Sequence, residues 1–137
     1  MALTFRHAVW LVPDVAATVA FYEKAFGLTL RHMPPNKGYA EMETGDTLLS
    51  FISEAFLRDA NLYAGLGVVP NRPDAAPGGS TIAFLTDDIQ GDWARAVAVG
   101  CTVIKAPEKK PPGQMLGYLR DLNGIVVELT TAIPPAA

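Results

Sequence analysis

Two segments of this chain repeat one order of apolar strand, helix and glycine stop. They read "HAVWLVPDVAATVAFYEKAFG" from residue 7 and "TIAFLTDDIQGDWARAVAVG" from residue 81. Asp14 and Gly27 stand at the predicted ends of the first helix, and Asp87 and Gly100 stand at the ends of the second, with equal spacing. Asp caps helix N-termini and Gly ends helices in the left-handed conformation. Because two unrelated helices would seldom share this spacing, the sequence indicates an internal duplication.

Each copy predicts a βαβββ module. After the first helix, "LTLRHM" predicts a strand and "YAEMETGDTLLSFIS" predicts a hairpin that turns at Gly45-Asp46. The second copy closes with "QMLGYLRDLNGIVVELTT", a hairpin predicted to turn at Asn123-Gly124. We therefore expect an α+β fold in which helices cover one face of each sheet and the other face is free to curl around a ligand.

The length favours a single domain over residues 1–137. Its predicted parts are a first module at 4–53, a connecting helix and Pro/Gly-rich linker at 54–79, a second module at 80–131 and a tail at 132–137. Within the connection, "EAFLRDANLYAG" predicts a short helix.

Composition excludes several partners. The net charge is −3, and no basic stripe is present, so neither nucleic acid nor a membrane surface is expected. No apolar run approaches the roughly 18 residues that span a bilayer, and no charged leader with a cleavage site is seen, so we expect a cytoplasmic protein. The single Cys101 forms no internal disulfide and is expected to be buried. Phosphate-binding glycine loops are absent, which predicts no nucleotide cofactor.

The segments "HAVWLVPDVAATVAFYEKAFGL" and "YLRDLNGIVVELTT" together resemble the vicinal oxygen chelate superfamily, which includes glyoxalases, bleomycin-resistance proteins and extradiol dioxygenases. The resemblance covers nearly the whole chain. It implies that the two modules form a U-shaped, partly open mixed sheet around a cavity. It also implies a homodimer, and in metal-dependent members four protein ligands that face into the sheet.

The implied ligand positions are only partly filled here. His7 stands at the first and Glu128 at the last, whereas the second falls on Ser50 and the third on Ser80 or Thr81, depending on the register. Hydroxyl groups are poor ligands for divalent transition metals compared with imidazole or carboxylate. This departure argues against glyoxalase-type chemistry.

Glu41 is a possible replacement for a missing ligand. A hairpin symmetric about Gly45-Asp46 pairs Glu41 with Ser50, and directly paired residues share a face. His7, Glu41 and Glu128 would then form a three-ligand site for one divalent metal, Fe, Mn, Ni or Zn, in which Glu128 or Glu41 also acts as the catalytic base. A one-residue slip of the strand would turn Glu41 to the helix side.

The alternatives to a metal site are structural. His7 alternates with apolar residues on its strand, and a lone His there is more often a hydrogen-bonded interior residue. Glu128 lies among Val126, Val127 and Leu129, where a carboxylate needs a cation, His7 or water to satisfy it. Several residues are expected to line the cavity and contact a substrate. They are Tyr39, Ser50, Ile52, Thr81, Met115, Gly117 and Leu119, with Phe56, Leu57 and Tyr63 as further wall candidates.

Three functions stay open at this stage. The first is a small-molecule-binding protein whose apolar cavity holds an organic ligand over His7 and Glu128. The second is a metal-dependent lyase similar to glyoxalase I, an isomerase or a dioxygenase, acting on a substrate with vicinal oxygens. The third is a structural dimer without a ligand.

Overall fold

A computed structural model describes residues 3–61 and 67–134. The chain forms two compact units, Met1–Pro70 and Asn71–Ala137, and each contains one four-stranded sheet. Part of the predicted connecting helix, the wall candidate Tyr63 and the end of the tail lie outside the described residues. No helix within the described ranges is long and apolar enough to cross a membrane.

The first unit has strand order β1-β4-β3-β2, with β1 parallel to β4 and the other pairs antiparallel. Helix α1 follows β1, and the short helix α2 follows β4. The elements are β1 His7–Val12, α1 Val15–Phe26, β2 Thr29–His32, β3 Tyr39–Glu43, β4 Leu48–Ser53 and α2 Glu54–Asp59.

The second unit repeats this plan, with strand order β5-β8-β7-β6 and β5 parallel to β8. The elements are β5 Thr81–Leu85, α3 Ile89–Val99, β6 Thr102–Lys109, β7 Met115–Arg120 and β8 Val126–Thr130. The predicted α+β class with two βαβββ modules is confirmed. The extent of a single domain over the whole chain stays a prediction.

Helix α1 begins and ends at the residues that the sequence predicts. The Asp14 side chain accepts a hydrogen bond from the Ala17 amide at 2.9 Å, which satisfies one of the amides without a helical partner. Gly27 has φ 69°, and its amide donates to the carbonyl of Glu23. The left-handed backbone at Gly27 costs little because glycine has no Cβ.

Helix α3 begins one residue later than predicted. Its N-cap is Asp88, whose side chain accepts from the Gly91 amide at 3.1 Å, and not Asp87. The equal Asp-to-Gly spacing is therefore wrong as a measure of the two helices. The duplication rests instead on the shared strand order and on the matching parallel pair in each sheet.

Alternation along the strands divides each sheet into two faces. In the first unit, Phe51, Met42, Ala40 and Val12 are fully buried, and Tyr22 of α1 packs on Phe51 with ring centroids 4.9 Å apart. Burying each large apolar side chain contributes about 1.5–3 kcal/mol. These residues form the helix-covered face, and the residues between them form the open face.

The two hairpins differ in how well the sequence predicts them. The first pairs Glu41 with Ser50, as a turn centred on Gly45-Asp46 predicts. The second pairs Tyr118 with Glu128, one residue away from the predicted register. The physical reason is the Asp121 side chain, which accepts from the amides of Asn123 and Ile125 and so closes a longer loop than an Asn-Gly turn.

This register corrects the prediction that Met115, Gly117 and Leu119 lie beside Glu128. These three residues alternate with Leu116, Tyr118 and Arg120, which share the face of Glu128. Leu119 is fully buried, and Gly117 lies against Trp93 of α3. The three residues predicted to form the floor of the cavity therefore lie on the helix-covered face of the second sheet, and not on its open face.

Gly117 marks a close approach between β7, β6 and α3. A Cβ at this position would lie 2.7 Å from the Trp93 ring, 2.8 Å from the Pro107 nitrogen and 3.0 Å from the Lys105 carbonyl oxygen. Two of these neighbours are backbone atoms, which cannot rotate away. A side chain here must displace a strand or a helix.

We predict that Gly117→Ala lowers the free energy of unfolding by about 1–3 kcal/mol, because overpacking forces the backbone to shift. Urea unfolding followed by circular dichroism measures this. Gly79→Ala is the matched control, since a Cβ at Gly79 meets nothing within 4 Å. Equal stability of the two variants would contradict the close packing at Gly117.

Candidate functional site

The open face of the first sheet brings together most of the residues predicted for a site in this half of the chain. The β1–β4 register places His7 opposite Leu48 and Val9 opposite Ser50. The β3–β4 register places Glu41 opposite Ser50 and Tyr39 opposite Ile52. The predicted shared face of Glu41 and Ser50 is confirmed. Four apolar side chains lie on the same face as Glu41 and Ser50: Val9, Leu11, Leu48 and Ile52.

Glu41 is the centre of a hydrogen-bonded cluster. It is only 5% exposed, although it is a carboxylate on the sheet face opposite the one that packs under α1. The Tyr39 hydroxyl donates to Glu41 Oε2 at 2.7 Å and lies 3.2 Å from the Ser50 hydroxyl, which is fully buried. A buried carboxylate is costly unless donors compensate it. The Tyr39 hydroxyl is one such donor.

Two arginines complete the compensation of Glu41. Arg6 Nη1 lies 3.1 Å from Glu41 Oε2, and Arg31 Nε lies 3.8 Å from Glu41 Oε1. Arg31 also lies 3.9 Å from Glu43 at the edge of the face. Both arginine side chains are largely exposed, at 62% for Arg6 and 51% for Arg31. The guanidinium groups therefore cover the carboxylate and face outward themselves.

The cluster changes the acidity of its members. Donation from Tyr39 holds the pKa of the Glu41 carboxyl below its ordinary value, and Arg6 and Arg31 lower it further against the opposing effect of burial. Burial raises the pKa of the Tyr39 phenol. Glu41 is consequently charged and Tyr39 is neutral at neutral pH.

His7 lies beside the same arginine. Arg6 Nη1 contacts His7 Nδ1, and the His7 ring lies 6.3 Å from the Tyr39 ring, centroid to centroid. A guanidinium has donors only, so the ring nitrogen that faces it is an acceptor. Arg6 therefore links His7 to Glu41.

In the second unit, Glu128 has a tyrosine partner. Glu128 pairs with Ala83 of β5 and with Tyr118 of β7, and it is half-buried. A hydrogen bond with Glu128 raises the pKa of the Tyr118 phenol, and burial raises it further. The sequence indicates that the Glu128 carboxylate needs a partner, and Tyr118 of the same unit provides one.

The two sheets also settle which residue of the second module corresponds to His7. His7 pairs with Leu48, two residues before Ser50, and Thr81 pairs with Val126, two residues before Glu128. Thr81 therefore matches His7 within the duplication, and Ser80 lies just before β5.

Sequence reasoning missed three residues: Arg6, Arg31 and Tyr118. Arg6 precedes β1, and its position beside His7 in the sequence was the available signal. Tyr118 required the correct hairpin register. No local pattern marks Arg31, because its contact with Glu41 depends on a register shift between β2 and β3.

The donor set in the first unit does not fit a divalent metal. Arg6 occupies the space between His7 Nδ1 and Glu41, and a cation placed there would repel the guanidinium. Among the described residues 3–61 and 67–134, no group of three or more His, Cys, Asp or Glu side chains is placed to hold a metal ion. The three-residue site of His7, Glu41 and Glu128 stays a prediction without local support.

Two surface concavities in the second unit lie away from these residues. One, of about 400 Å³, is lined by residues of the loop after β6 from Lys109 to Gly113. The other, of about 360 Å³, lies at the start of α3 beside Asp87 and Asp92. Neither includes Glu128 or Tyr118, so the hydrogen-bonded clusters and not these concavities define the candidate site.

Cys101 is buried, as predicted. Burial raises the pKa of its thiol to about 12, and the nearby charge of Asp121 adds to this effect. The thiolate is the nucleophilic form, so this cysteine is chemically inert at neutral pH.

Comparisons with known proteins agree on the fold. The model of the Glyoxalase/Bleomycin resistance protein/Dioxygenase superfamily matches residues 4–129. A structure of a family enzyme from Burkholderia phytofirmans PsJN is similar with TM-score 0.77 and 20% identity, covering 93% of this chain and 97% of that chain. A comparison with curated proteins gave no match.

Two further solved structures are similar. A glyoxalase-related enzyme from Fulvimarina pelagi has TM-score 0.74 and 19% identity, covering 96% of this chain and 89% of that chain. A lactoylglutathione lyase from Agrobacterium tumefaciens has TM-score 0.67 and 21% identity, covering 96% of both chains. At such identities the likeness concerns the fold alone.

We predict that the stabilising effect of Glu41 is lost in acid. A group whose pKa is lowered on folding from its ordinary value of 4.5 stabilises the fold above that value and loses its effect as the pH falls through the folded pKa. The free energy of unfolding of the wild type should therefore exceed that of Glu41→Gln at neutral pH by more than at about pH 3. Urea titrations at several pH values measure this.

Glu23→Gln on the exposed side of α1 is the control for removal of one negative charge outside the cluster. A Glu41→Gln difference that stays constant or grows in acid would show that the cluster does not stabilise the charged carboxylate.

We also predict that the purified, untagged protein retains well below one metal ion per chain after incubation with Mn, Fe(II), Ni or Zn and desalting. The reason is that Arg6 takes the place of a cation beside His7 and Glu41. Mass spectrometry of metal content measures this, with His7→Ala and Glu128→Gln compared with the wild type. One bound ion per chain that either substitution removes would contradict the prediction.

Proposed function

Because this chain belongs to the Glyoxalase/Bleomycin resistance protein/Dioxygenase superfamily, we propose that it binds a small organic molecule on the open face of its first sheet without needing a metal. Members of this superfamily generally bind small-molecule substrates and often dimerise. We include a homodimer in the proposal. The observation that carries the binding proposal is the compensated carboxylate Glu41, surrounded by apolar side chains on the face opposite α1.

The polar cluster supplies orientation, and the apolar residues supply contact area. Small-molecule sites are mostly apolar with a few fixed polar groups, and Val9, Leu11 and Ile52 are half-buried beside Glu41 and Tyr39. Burial of apolar ligand surface contributes roughly 25 cal/mol per Å² before the costs of association. Because Arg6, Arg31 and Tyr39 already hold the carboxylate, the site is preorganised before a ligand arrives.

The geometry gives less support to the metal-dependent enzyme. The superfamily generally uses a divalent metal, yet Arg6 here lies against both His7 and Glu41. A general base works best when its pKa lies near the working pH, whereas Tyr39 and the arginines lower the pKa of Glu41. We therefore assign Glu41 to organising the site and not to proton transfer.

A ligand that binds only the folded protein raises its free energy of unfolding, and this rise tests the proposal. We expect at least one member of a library of aromatic and alicyclic compounds to raise the melting temperature in the presence of a chelator. A ligand at 100 times its Kd adds about 2.7 kcal/mol to the free energy of unfolding. Differential scanning fluorimetry followed by isothermal titration calorimetry measures this.

A matched pair of variants locates the site. Ile52→Asn places an amide among the apolar residues of the open face and should weaken binding about tenfold or more. Ile104→Asn changes an exposed isoleucine of β6 and should leave the affinity unchanged. If the Ile104 variant is the weaker one, the ligand binds elsewhere and the proposed site is wrong. If no compound binds, the structural dimer without a ligand becomes the better hypothesis.

A further inference from the structure

We propose, on the basis of the function proposed above, that the open face of the first sheet selects organic acids, and that Arg6 and His7 bind the ligand's carboxylate through N–H donors. The inference comes from which hydrogen-bonding groups of the cluster are already used within the protein and which face outward. It concerns the chemical class of the ligand and uses residues of the first unit only.

The contact between Arg6 and His7 assigns the imidazole tautomer. Arg6 Nη1 can only donate, so His7 Nδ1 accepts and the proton of the neutral ring resides on Nε2. His7 is then a hydrogen-bond donor at Nε2 and offers no lone pair there. This role differs from that of a metal ligand or a general base, each of which needs a free lone pair.

The acceptors of the cluster are already engaged. Glu41 is nearly fully buried and takes contacts from Tyr39, Arg6 and Arg31. Ser50, the other acceptor at the centre of the face, is fully buried beside the Tyr39 hydroxyl. By contrast, 62% of the Arg6 side chain is exposed while its Nη1 is fixed by Glu41. The cluster therefore presents N–H donors outward.

Charge favours an anion of low valence. Two guanidinium groups contact one buried carboxylate, and the remaining acid of this group, Glu43, lies 3.9 Å from Arg31 with about half of its side chain exposed. His32, which pairs opposite Glu41, is exposed. The two arginine charges are balanced by Glu41 and Glu43, but Glu41 is buried, so the charged group exposed beside His7 is the guanidinium of Arg6. A dianion would place a second negative charge near Glu41 and Glu43, so a single carboxylate is the better match.

The fork of a guanidinium matches a planar carboxylate, with two parallel N–H···O bonds. The apolar neighbours on the same face, Val9, Leu11 and Ile52, suit a hydrophobic ring attached to that carboxylate. Glu41 and Tyr39 act as positioning residues, because they hold Arg6 in place and do not contact the ligand. The ligand class is an aromatic or alicyclic monocarboxylic acid.

Matched acids and amides test the carboxylate. Benzoate, naphthoate and anthracene carboxylate are each compared with the corresponding primary amide by isothermal titration calorimetry, so that each pair differs in charge and not in ring size. For the wild type we expect the best-binding acid to bind about tenfold or more tighter than its amide. Arg6→Ala should abolish this preference, so that an acid and its amide bind this variant with similar affinity. Arg6→Lys should retain part of it, because a lysine keeps the charge and loses the fork.

Arg58→Ala is the control, since Arg58 is an exposed arginine of α2 that pairs with Asp59. It should keep the full preference for the acid. An amide that binds as tightly as its acid, or a preference that survives Arg6→Ala, overturns the carboxylate proposal and leaves the proposed binding function intact. If neither member of any pair binds and the wider library also gives no ligand, both proposals fail. Circular dichroism confirms that each variant is folded.

Nuclear magnetic resonance tests the role of His7 independently. The chain has 2 histidines, so a two-bond ¹H–¹⁵N spectrum of the wild type and of His32→Gln assigns His7 directly. For the neutral form of the ring we expect the proton on Nε2, and a shift of the Nε2 resonance when naphthoate is added. A neutral ring with its proton on Nδ1 would overturn the assignment of Nε2 as the donor.

Discussion

The pairing of β3 with β4 has one register that the helix above the sheet can accept. In that register, Phe51 and Met42 are buried under α1, and Glu41 and Ser50 point to the opposite face. A shift of one residue would place the Glu41 carboxylate under the helix and expose the phenylalanine. Because burial of an uncompensated carboxylate is far costlier than loss of a few contacts, the apolar packing under α1 also determines the composition of the site.

The buried Glu41 carboxylate on the open face needs hydrogen-bond donors and positive charges around it. The carboxylate is stable there because Tyr39, Arg6 and Arg31 supply donors, and these same contacts fix the orientation of Arg6 toward His7. The duplicated module solves a similar problem in a simpler way. There, Glu128 occupies the position of Ser50 and Tyr118 occupies the position of Glu41, so carboxylate and hydroxyl have exchanged strands. Each sheet thus carries a tyrosine–glutamate pair on its open face, and in the first sheet the guanidinium groups of Arg6 and Arg31 lie against the carboxylate.

Much of the fold was predictable from local patterns. The Asp14 cap, the Gly27 stop and the hairpin at Gly45-Asp46 each depend on residues that are neighbours in sequence, and the structure confirms all three. The errors arose where a side chain outside the recognised motif changed the local geometry. Asp121 lengthened the second hairpin loop and moved Met115, Gly117 and Leu119 to the helix-covered face, and Asp88 capped α3 in place of Asp87.

The sequence by itself determined the two βαβββ modules and the shared face of Glu41 and Ser50. Strand alternation, helix caps and turn residues act over a few positions and leave a readable pattern. Only the tertiary structure decided what surrounds Glu41. Arg6, Arg31 and Tyr39 come from three separate segments, and their convergence depends on strand order and on a shift of register in β2. Long arginine side chains reach several neighbours, so their partners depend on packing and not on position in the chain.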